Sequence, residues 1–318
     1  MKKHRFFLTG IISLSCLAFC VLASVACGAK SVGFQTVIRS LFHLGESSFD
    51  ANVVQARIPR TVFGVLAGAA LSISGALMQA ITRNPIADPS ILGVNTGASL
   101  FVVFGIAFLH INKGIQYIGL AFAGAALTAI LVYGLASIGH GGATPIKLAL
   151  AGAAASTQVM DQFRFWQTGS ISGADWADIR LLLPCFVIGF FLSIFLAPSL
   201  NALALGDDAA TGLGLNVPLI RASSALAGVL LCASTTALAG PIGFVGLMIP
   251  HLIRLLLGPD MRKILPLSAV GGACLLLFAD VLGRILGRPG ELESGIVTAL
   301  IGAPVFIFII RKAKVNSL

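Results

Sequence analysis

Ionisable side chains are scarce in this chain, so each one that interrupts an apolar stretch asks for a reason. Only 10% of the 318 residues are charged and 57% are hydrophobic, whereas soluble domains carry about 25% charged residues. Arg57 and Arg60 stand in R-I-P-R and share one helical face. An apolar run over residues 62–81 follows them, and positive charge at a helix start opposes the macrodipole. Guanidinium groups there can snorkel to lipid headgroups. Asp207 and Asp208 lie in the polar interruption N-A-L-A-L-G-D-D-A-A-T-G-L-G-L-N-V-P-L over residues 201–219. Their charge suits the start of a short helix, and Leu203, Leu205, Leu213 and Leu215 would give it an apolar side; a solvated loop is the plain alternative. Asp280 and Arg284 fall at i, i+4, the spacing of a local ion pair.

Other reactive side chains point to no chemistry of their own. His251 has no second His, Cys or acidic group at ligand spacing, so it reads as structural. Cys16, Cys20, Cys27, Cys185, Cys232 and Cys274 lie within or at the ends of apolar runs. With neither metal spacing nor an exposed framework, they read as small packing residues. There is no G-x-x-x-x-G-K-[ST] loop to cradle ATP phosphates. No Ser/His/Asp or metal-ligand cluster suggests an enzyme, and no cofactor is expected. The net charge of +9 is scattered among apolar segments, which suits orientation in a membrane and argues against nucleic acid.

The elements that must position these residues are apolar runs at 6–29, 62–81, 91–109, 115–137, 146–165, 181–200, 219–239, 242–257, 264–282 and 296–310. A helix needs about 20 apolar residues to cross a bilayer, and the runs at 242–257 and 296–310 are short for it. The expected fold class is all-α, a polytopic membrane protein with about ten transmembrane helices; a barrel would need short alternating segments. No linker divides the chain, so residues 1–318 read as one transmembrane domain. Lys2-Lys3-His4-Arg5 and the run after it read as an uncleaved first helix rather than a signal peptide. Residues 30–60, with Phe34, Val37, Ile38, Leu41 and Phe42 at helical spacing, suggest a short helix in the outer interface. With the N-terminus inside, the inner segments collect Lys2, Lys3, Arg5, Arg83, Lys147, Arg221, Arg254, Arg262, Lys263, Arg311, Lys312 and Lys314. That bias places both termini in the cytoplasm. Gly141-Gly142 with Pro145 makes an inner turn. Gly152, Ser156, Thr157 and Gln158 weaken the helix that follows, which suits either a polar path or tight packing. Trp166 and Trp176 suit an interfacial belt.

The stretch over residues 57–99 is the most specific. Gly64, Gly68, Ser72 and Ala76 recur every fourth position and give a stripe for close helix approach. Arg83-Asn84-Pro85 stops the helix, since Pro85 disfavours helical backbone before it. Asp88-Pro89 then offers an N-cap and a first helical position for the next helix.

The block R-N-P-I-A-D-P-S-I-L-G-V-N resembles the permease subunits of bacterial ABC importers for iron–siderophore complexes, haem and vitamin B12. Ferric enterobactin-type permeases are the best likeness. The resemblance runs from about residue 57 to residue 304 and includes D-Q-F-R-F-W-Q-T-G-S, G-P-I-G-F-V-G-L-M-I-P-H-L-I-R and F-A-D-V-L-G-R. It implies a type II ABC importer permease fold, multi-pass in the bacterial cytoplasmic (inner) membrane and working by alternating access. The implied cargo is an iron–siderophore chelate, with haem or cobalamin as the alternative. The implied partners are a separate ATP-binding subunit, an extracytoplasmic substrate-binding protein and a second permease subunit, identical or not. By the same resemblance Arg57, Arg60 and Arg284 dock acidic residues of the binding protein. Leu205, Gly206, Asp207, Asp208, Ala209 and Gly212 belong to a coupling helix that enters a groove on the ATPase. Arg83, Asn84 and Pro85 form a cytoplasmic turn, and the helix over 146–165 forms a pathway wall. One departure stands out: Glu291-Leu292-Glu293-Ser294-Gly295 has Glu293 where the family usually has proline. That leaves open the start of the last helix, and whether Arg284 and Arg288 are paired locally. From a different class, an ion-coupled secondary transporter would want acidic or His residues in mid-membrane. Mid-span positions are almost free of charge.

Overall fold

A computed structural model describes residues 2–28, 32–41, 48–89, 93–109, 111, 113–136 and 167–315. The regular elements among them are all helices. In chain order they are α1 (Lys2–Ala26), α2 (Phe34–Leu41), α3 (Phe49–Thr82), α4 (Val94–Leu109), α5 (Gly114–Ala136), α6 (Trp176–Leu203), α7 (Asp207–Gly212), α8 (Val217–Ala239), α9 (Val245–Leu257), α10 (Met261–Leu286) and α11 (Ser294–Val315). By length and composition α1, α3, α6, α8 and α10 can cross a membrane, and α4, α5, α9 and α11 contain shorter apolar segments. The expected span at 146–165, the turn at 141–145 and Trp166 lie outside the described residues.

Helix α3 is the hub. It packs most extensively on α10, then on α8, α9 and α6. Its small-residue stripe is what permits this. A Cβ on Gly68 would strike the Gly272 carbonyl of α10, and one on Gly75 would strike Gly246 of α9. Close backbone approach of this kind replaces the large apolar contacts of a soluble core. It also explains an inversion in hydropathy. The buried α3 has a mean hydropathy of 1.8, below the 2.4 of α1 and α6, whose apolar windows are mostly uncovered. Leu, Ile and Phe face outward on those two helices, as a lipid solvent requires. Phe7, Ile12, Phe19, Phe191 and Phe195 are among the exposed ones.

One helix start differs from the sequence expectation. The helix after R-I-P-R begins at Phe49, well before residue 62, with the Ser48 hydroxyl accepting from the Ala51 amide at 3.2 Å and Asp50 in its first turn. Arg57 and Arg60 therefore lie inside the helix, around Pro59, and the dipole at its start does not act on them. Among the described residues of the 30–60 segment, Phe34–Leu41 forms a separate short helix. At 34 residues and about 1.5 Å each, α3 extends beyond the ~30 Å hydrocarbon layer. A 3-10 turn begins at Pro89, residues 90–92 lie outside the described ones, and α4 begins at Val94, where Gly93, with φ of +72°, receives the first helical bond from Gly97 at 2.7 Å. A left-handed residue there sets the chain's entry angle without side-chain strain.

The remaining starts follow local rules. Asn216 caps α8 by accepting from the Leu219 amide at 3.1 Å, with Pro218 in the first turn. Asp260 caps α10, and Asn201 at the end of α6 bonds both Asp260 and the Met261 amide at 2.8 Å. The last helix starts intact: the Glu293 carbonyl accepts from Ile296 at 3.0 Å and from Val297 at 3.3 Å.

Candidate functional site

Charged residues gather at the two ends of the bundle, and α3 joins them. At one end, Arg57 donates from Nη1 to the carbonyls of Val25 and Ala26, both at 3.0 Å. These are last-turn carbonyls of α1, which a cation satisfies well. Ser24 and Thr61 hydroxyls share a hydrogen bond of 2.8 Å beneath. Arg284 of α10 reaches the same turn, donating to the Ser24 carbonyl at 2.9 Å and its hydroxyl at 3.0 Å. Thus α1 is held by arginines from two other helices.

Asp280 lies between the charges. Its Oδ1 accepts from Arg60 Nη2 at 2.6 Å and Nε at 3.1 Å, while its Oδ2 lies 2.9 Å from Arg284 Nη2 as an ion pair without hydrogen-bond alignment. Asp280 and Arg284 are each about 1% exposed. Arg60 continues outward to Glu291 Oε2 at 2.7 Å, and the Ser172 hydroxyl donates to the same oxygen at 3.1 Å. Arg288 donates to the Gly28 carbonyl at 2.6 Å. Arg284 and Arg288 are therefore both held within the chain, Glu293 notwithstanding. Burial pushes the Glu291 carboxyl up, but the bond and charge of Arg60, with the Ser172 hydroxyl, outweigh it and leave it below the usual 4.5.

At the opposite end the two stretches singled out in sequence meet. Arg83, left-handed at φ +50°, closes α3, and its guanidinium bonds Asp207 and the Leu203 carbonyl, the latter at 2.7 Å. Arg221 of α8 donates to the same Asp207 oxygen at 3.0 Å. Asn84 accepts from the Ile86 amide at 3.0 Å, an Asx turn ahead of Ala87. The expected short helix is α7, and the leucines around it divide. Leu203 is buried and Leu215 half-buried, whereas Leu205 and Leu213 are exposed. Ala210 is buried, while Asp208 and Ala209 face out with Gly212. Beside α7 opens a cleft of about 680 Å³ between residues 201–205 and 256–263. An adjoining one of about 300 Å³ contains Gln79, Arg83 and Arg254. Arg254 donates to Gln79 Oε1 at 3.1 Å, and Gln79 donates to the Gly246 and Leu247 carbonyls at 3.3 and 3.2 Å.

Three features escape sequence reasoning. Asp280 meets Arg60 across 220 positions, a pairing no local spacing announces. Asn95 Oδ1 accepts from both Cys232 and Thr236 at 3.0 Å, a polar contact between α4 and α8. The cysteines are not all dispersed packing residues: the sulfurs of Cys16, Cys20 and Cys274 lie within 4.8 Å of one another. The i, i+4 spacing of Cys16 and Cys20 was the only visible hint.

The profile of the FecCD transport family matches residues 16–312. The chain is 42% identical to the Fe(3+)-citrate import system permease protein YfmD of Bacillus subtilis, over 96% of this chain and 94% of that one. It is 41% identical to the ferric enterobactin transport system permease protein FepD of Escherichia coli, over 91% and 90%. It is 34% identical to the hemin transport system permease protein HmuU of Yersinia pestis, over 94% and 93%. A solved structure described as an inward-facing conformation of a metal-chelate type ABC transporter superposes with a TM-score of 0.79 at 26% identity, covering 95% of this chain and 98% of that one.

Proposed function

We propose, from the premise that the chain belongs to the FecCD transport family, that it is the membrane permease through which a ferric siderophore chelate enters the cytoplasm. The chain is a transport subunit, multi-pass in the membrane. ATP hydrolysis belongs to a partner chain, and substrate arrives from an extracytoplasmic binding protein. A second permease, identical or paired, completes the pore.

One observation carries the coupling half of this reading. Leu205 and Leu213, which flank α7 on its two sides, are exposed, while Asp207 is clamped by Arg83 and Arg221. A braced short helix with an exposed leucine at either side suits a groove on the ATPase. A push there passes through Arg83 into α3, which reaches the arginine end as one unbroken helix. At that end Arg57 and Arg284 direct their donors inward. The binding protein's carboxylates then meet the edge formed by Arg60 and Glu291, with Arg57 and Arg284 holding α1 and α10 behind it. Haem or cobalamin remains the second cargo, since one relative is named for hemin.

The test is uptake in a strain lacking this gene, complemented with the chain and its partners, using radio-iron for catecholate, hydroxamate, citrate and haem ligands and radio-cobalt for cobalamin. Restored uptake of a ferric siderophore that needs a functional ATPase is the expected result. Restoration of haem or cobalamin uptake alone would reassign the cargo. Uptake indifferent to the ATPase would end the ABC reading.

A further inference from the structure

Helices α1 and α10 pack together along the bundle's side, away from both charged ends. Cys16 and Cys20 lie one turn apart on α1, and Cys274 faces them from α10. Their three sulfurs lie within 4.8 Å of one another. Cys20 is buried, Cys274 half-buried and Cys16 exposed, so the cluster has an open side. Packing alone asks for small residues here, not for three converging thiols.

We propose that Cys16, Cys20 and Cys274 form a binding site for a monovalent soft cation, with Cu(I) the natural occupant. The thiols ligate as thiolates and release their protons to the medium on binding, and a metal–thiolate bond of about 2.3 Å puts the three sulfurs of a trigonal site about 4 Å apart. The observed separations are within reach of that by side-chain rotation. The coordination number selects the ion. Among the described residues no fourth His, Cys, Asp or Glu atom joins the group. Zinc wants four ligands, and apolar neighbours offer little water to supply one. Cu(I) is selected by soft sulfur ligands and is satisfied by three. Nor is the site a carboxylate cage for a hard ion such as ferric iron: its donor set is sulfur alone. It therefore stands apart from the cargo of the importer. An ion held there ties α1 to α10 about two turns below Asp280, on the same face of the bundle that Arg284 braces.

The experiment uses the full-length protein in lipid nanodiscs, reduced and kept free of oxygen. Cu(I) is presented as its coloured bicinchoninate complex, and transfer is read from loss of that colour. One equivalent per chain should move to the protein, with Cu–S scattering from three sulfurs in X-ray absorption. Cys274→Ser should weaken capture by at least about tenfold, the low end of what losing even an outer-shell partner costs. Cys16→Ala should do the same, and because Cys16 is exposed that variant leaves the packed core intact if Cys274→Ser fails to fold. Cys185→Ser, altered on α6, should change nothing. No transfer to the wild type, undiminished transfer to Cys16→Ala, or Zn(II) displacing Cu(I) at equal concentration would each overturn the assignment.

Discussion

Asp280 holds Arg60 and Arg284 at once from a position almost without solvent. The desolvation of three charges is offset only by their pairing with one another. Removing one partner of a buried pair costs about 3–5 kcal/mol, because the remaining charge is left uncompensated. Asp280→Asn should therefore lower the melting temperature of the detergent-solubilised protein steeply and reduce its yield. Glu291→Gln should cost no more than about 1 kcal/mol, since that carboxylate is a third exposed and partly screened. A variant at Asp280 as stable as the Glu291 variant would mean that the buried network contributes little. Glu291 also gives a pH signature. Its folded pKa lies below the ordinary 4.5, so its contribution is complete above that value and is lost as pH falls through the folded one. As pH falls from above 4.5 through that lower folded value, the wild type should lose more stability than Glu291→Gln. Parallel melting curves across that window would remove Glu291 from the interaction.

Glycines at the scale of elements separate packing from docking. Gly68 faces the Gly272 backbone, so even Gly68→Ala forces α3 and α10 apart. Overpacking of this kind costs about 1–3 kcal/mol or more, and should appear as a lower melting temperature and aggregation on size exclusion. Gly212 at the end of α7 has open space around it. Gly212→Trp should therefore fold and reach the membrane normally, yet lose ATPase on co-purification and lose uptake. Normal ATPase recovery with Gly212→Trp would exclude α7 from that interface. Both glycines could be picked out in the sequence, one from the four-residue stripe and one from the break between apolar runs. Helix α7 and the turn at Arg83 were legible for the same reason. The start of α3 was not. Hydropathy marks where a helix enters lipid, and it cannot see a capped helix continuing past the interface through Ala51, Asn52 and Gln55. Nor could spacing reveal that Arg60 and Asp280, or Cys16 and Cys274, become neighbours. Those contacts exist only once α3, α1 and α10 are packed. That Arg57 and Arg60 share a helical face was visible, but their acceptors within the chain were not.

The whole molecule has two chemically different ends, and its orientation decides which partner meets which. At the arginine end the cations are largely answered from within, by Asp280, Glu291 and carbonyls of α1. At the Asp207 end, Arg83, Arg221, Arg254, Arg262 and Lys263 crowd around few carboxylates, chiefly Asp207, Asp208 and Asp260. An excess of Lys and Arg near membrane ends marks the cytoplasmic side, the side on which the proposed ATPase contact at α7 would lie. Orientation and coupling thus stand on one arrangement and are open to one test. In a variant with the native cysteines replaced by serine, Asp208→Cys should resist an impermeant maleimide in intact cells and react in inverted vesicles. Gly290→Cys, in the exposed loop ahead of α11, should react in intact cells. Both positions are at the surface, so shielding by the fold does not explain a difference between them. Labelling of Asp208→Cys in intact cells would turn the molecule over: α7 would face the binding protein, and the arginine end would face the cytoplasm.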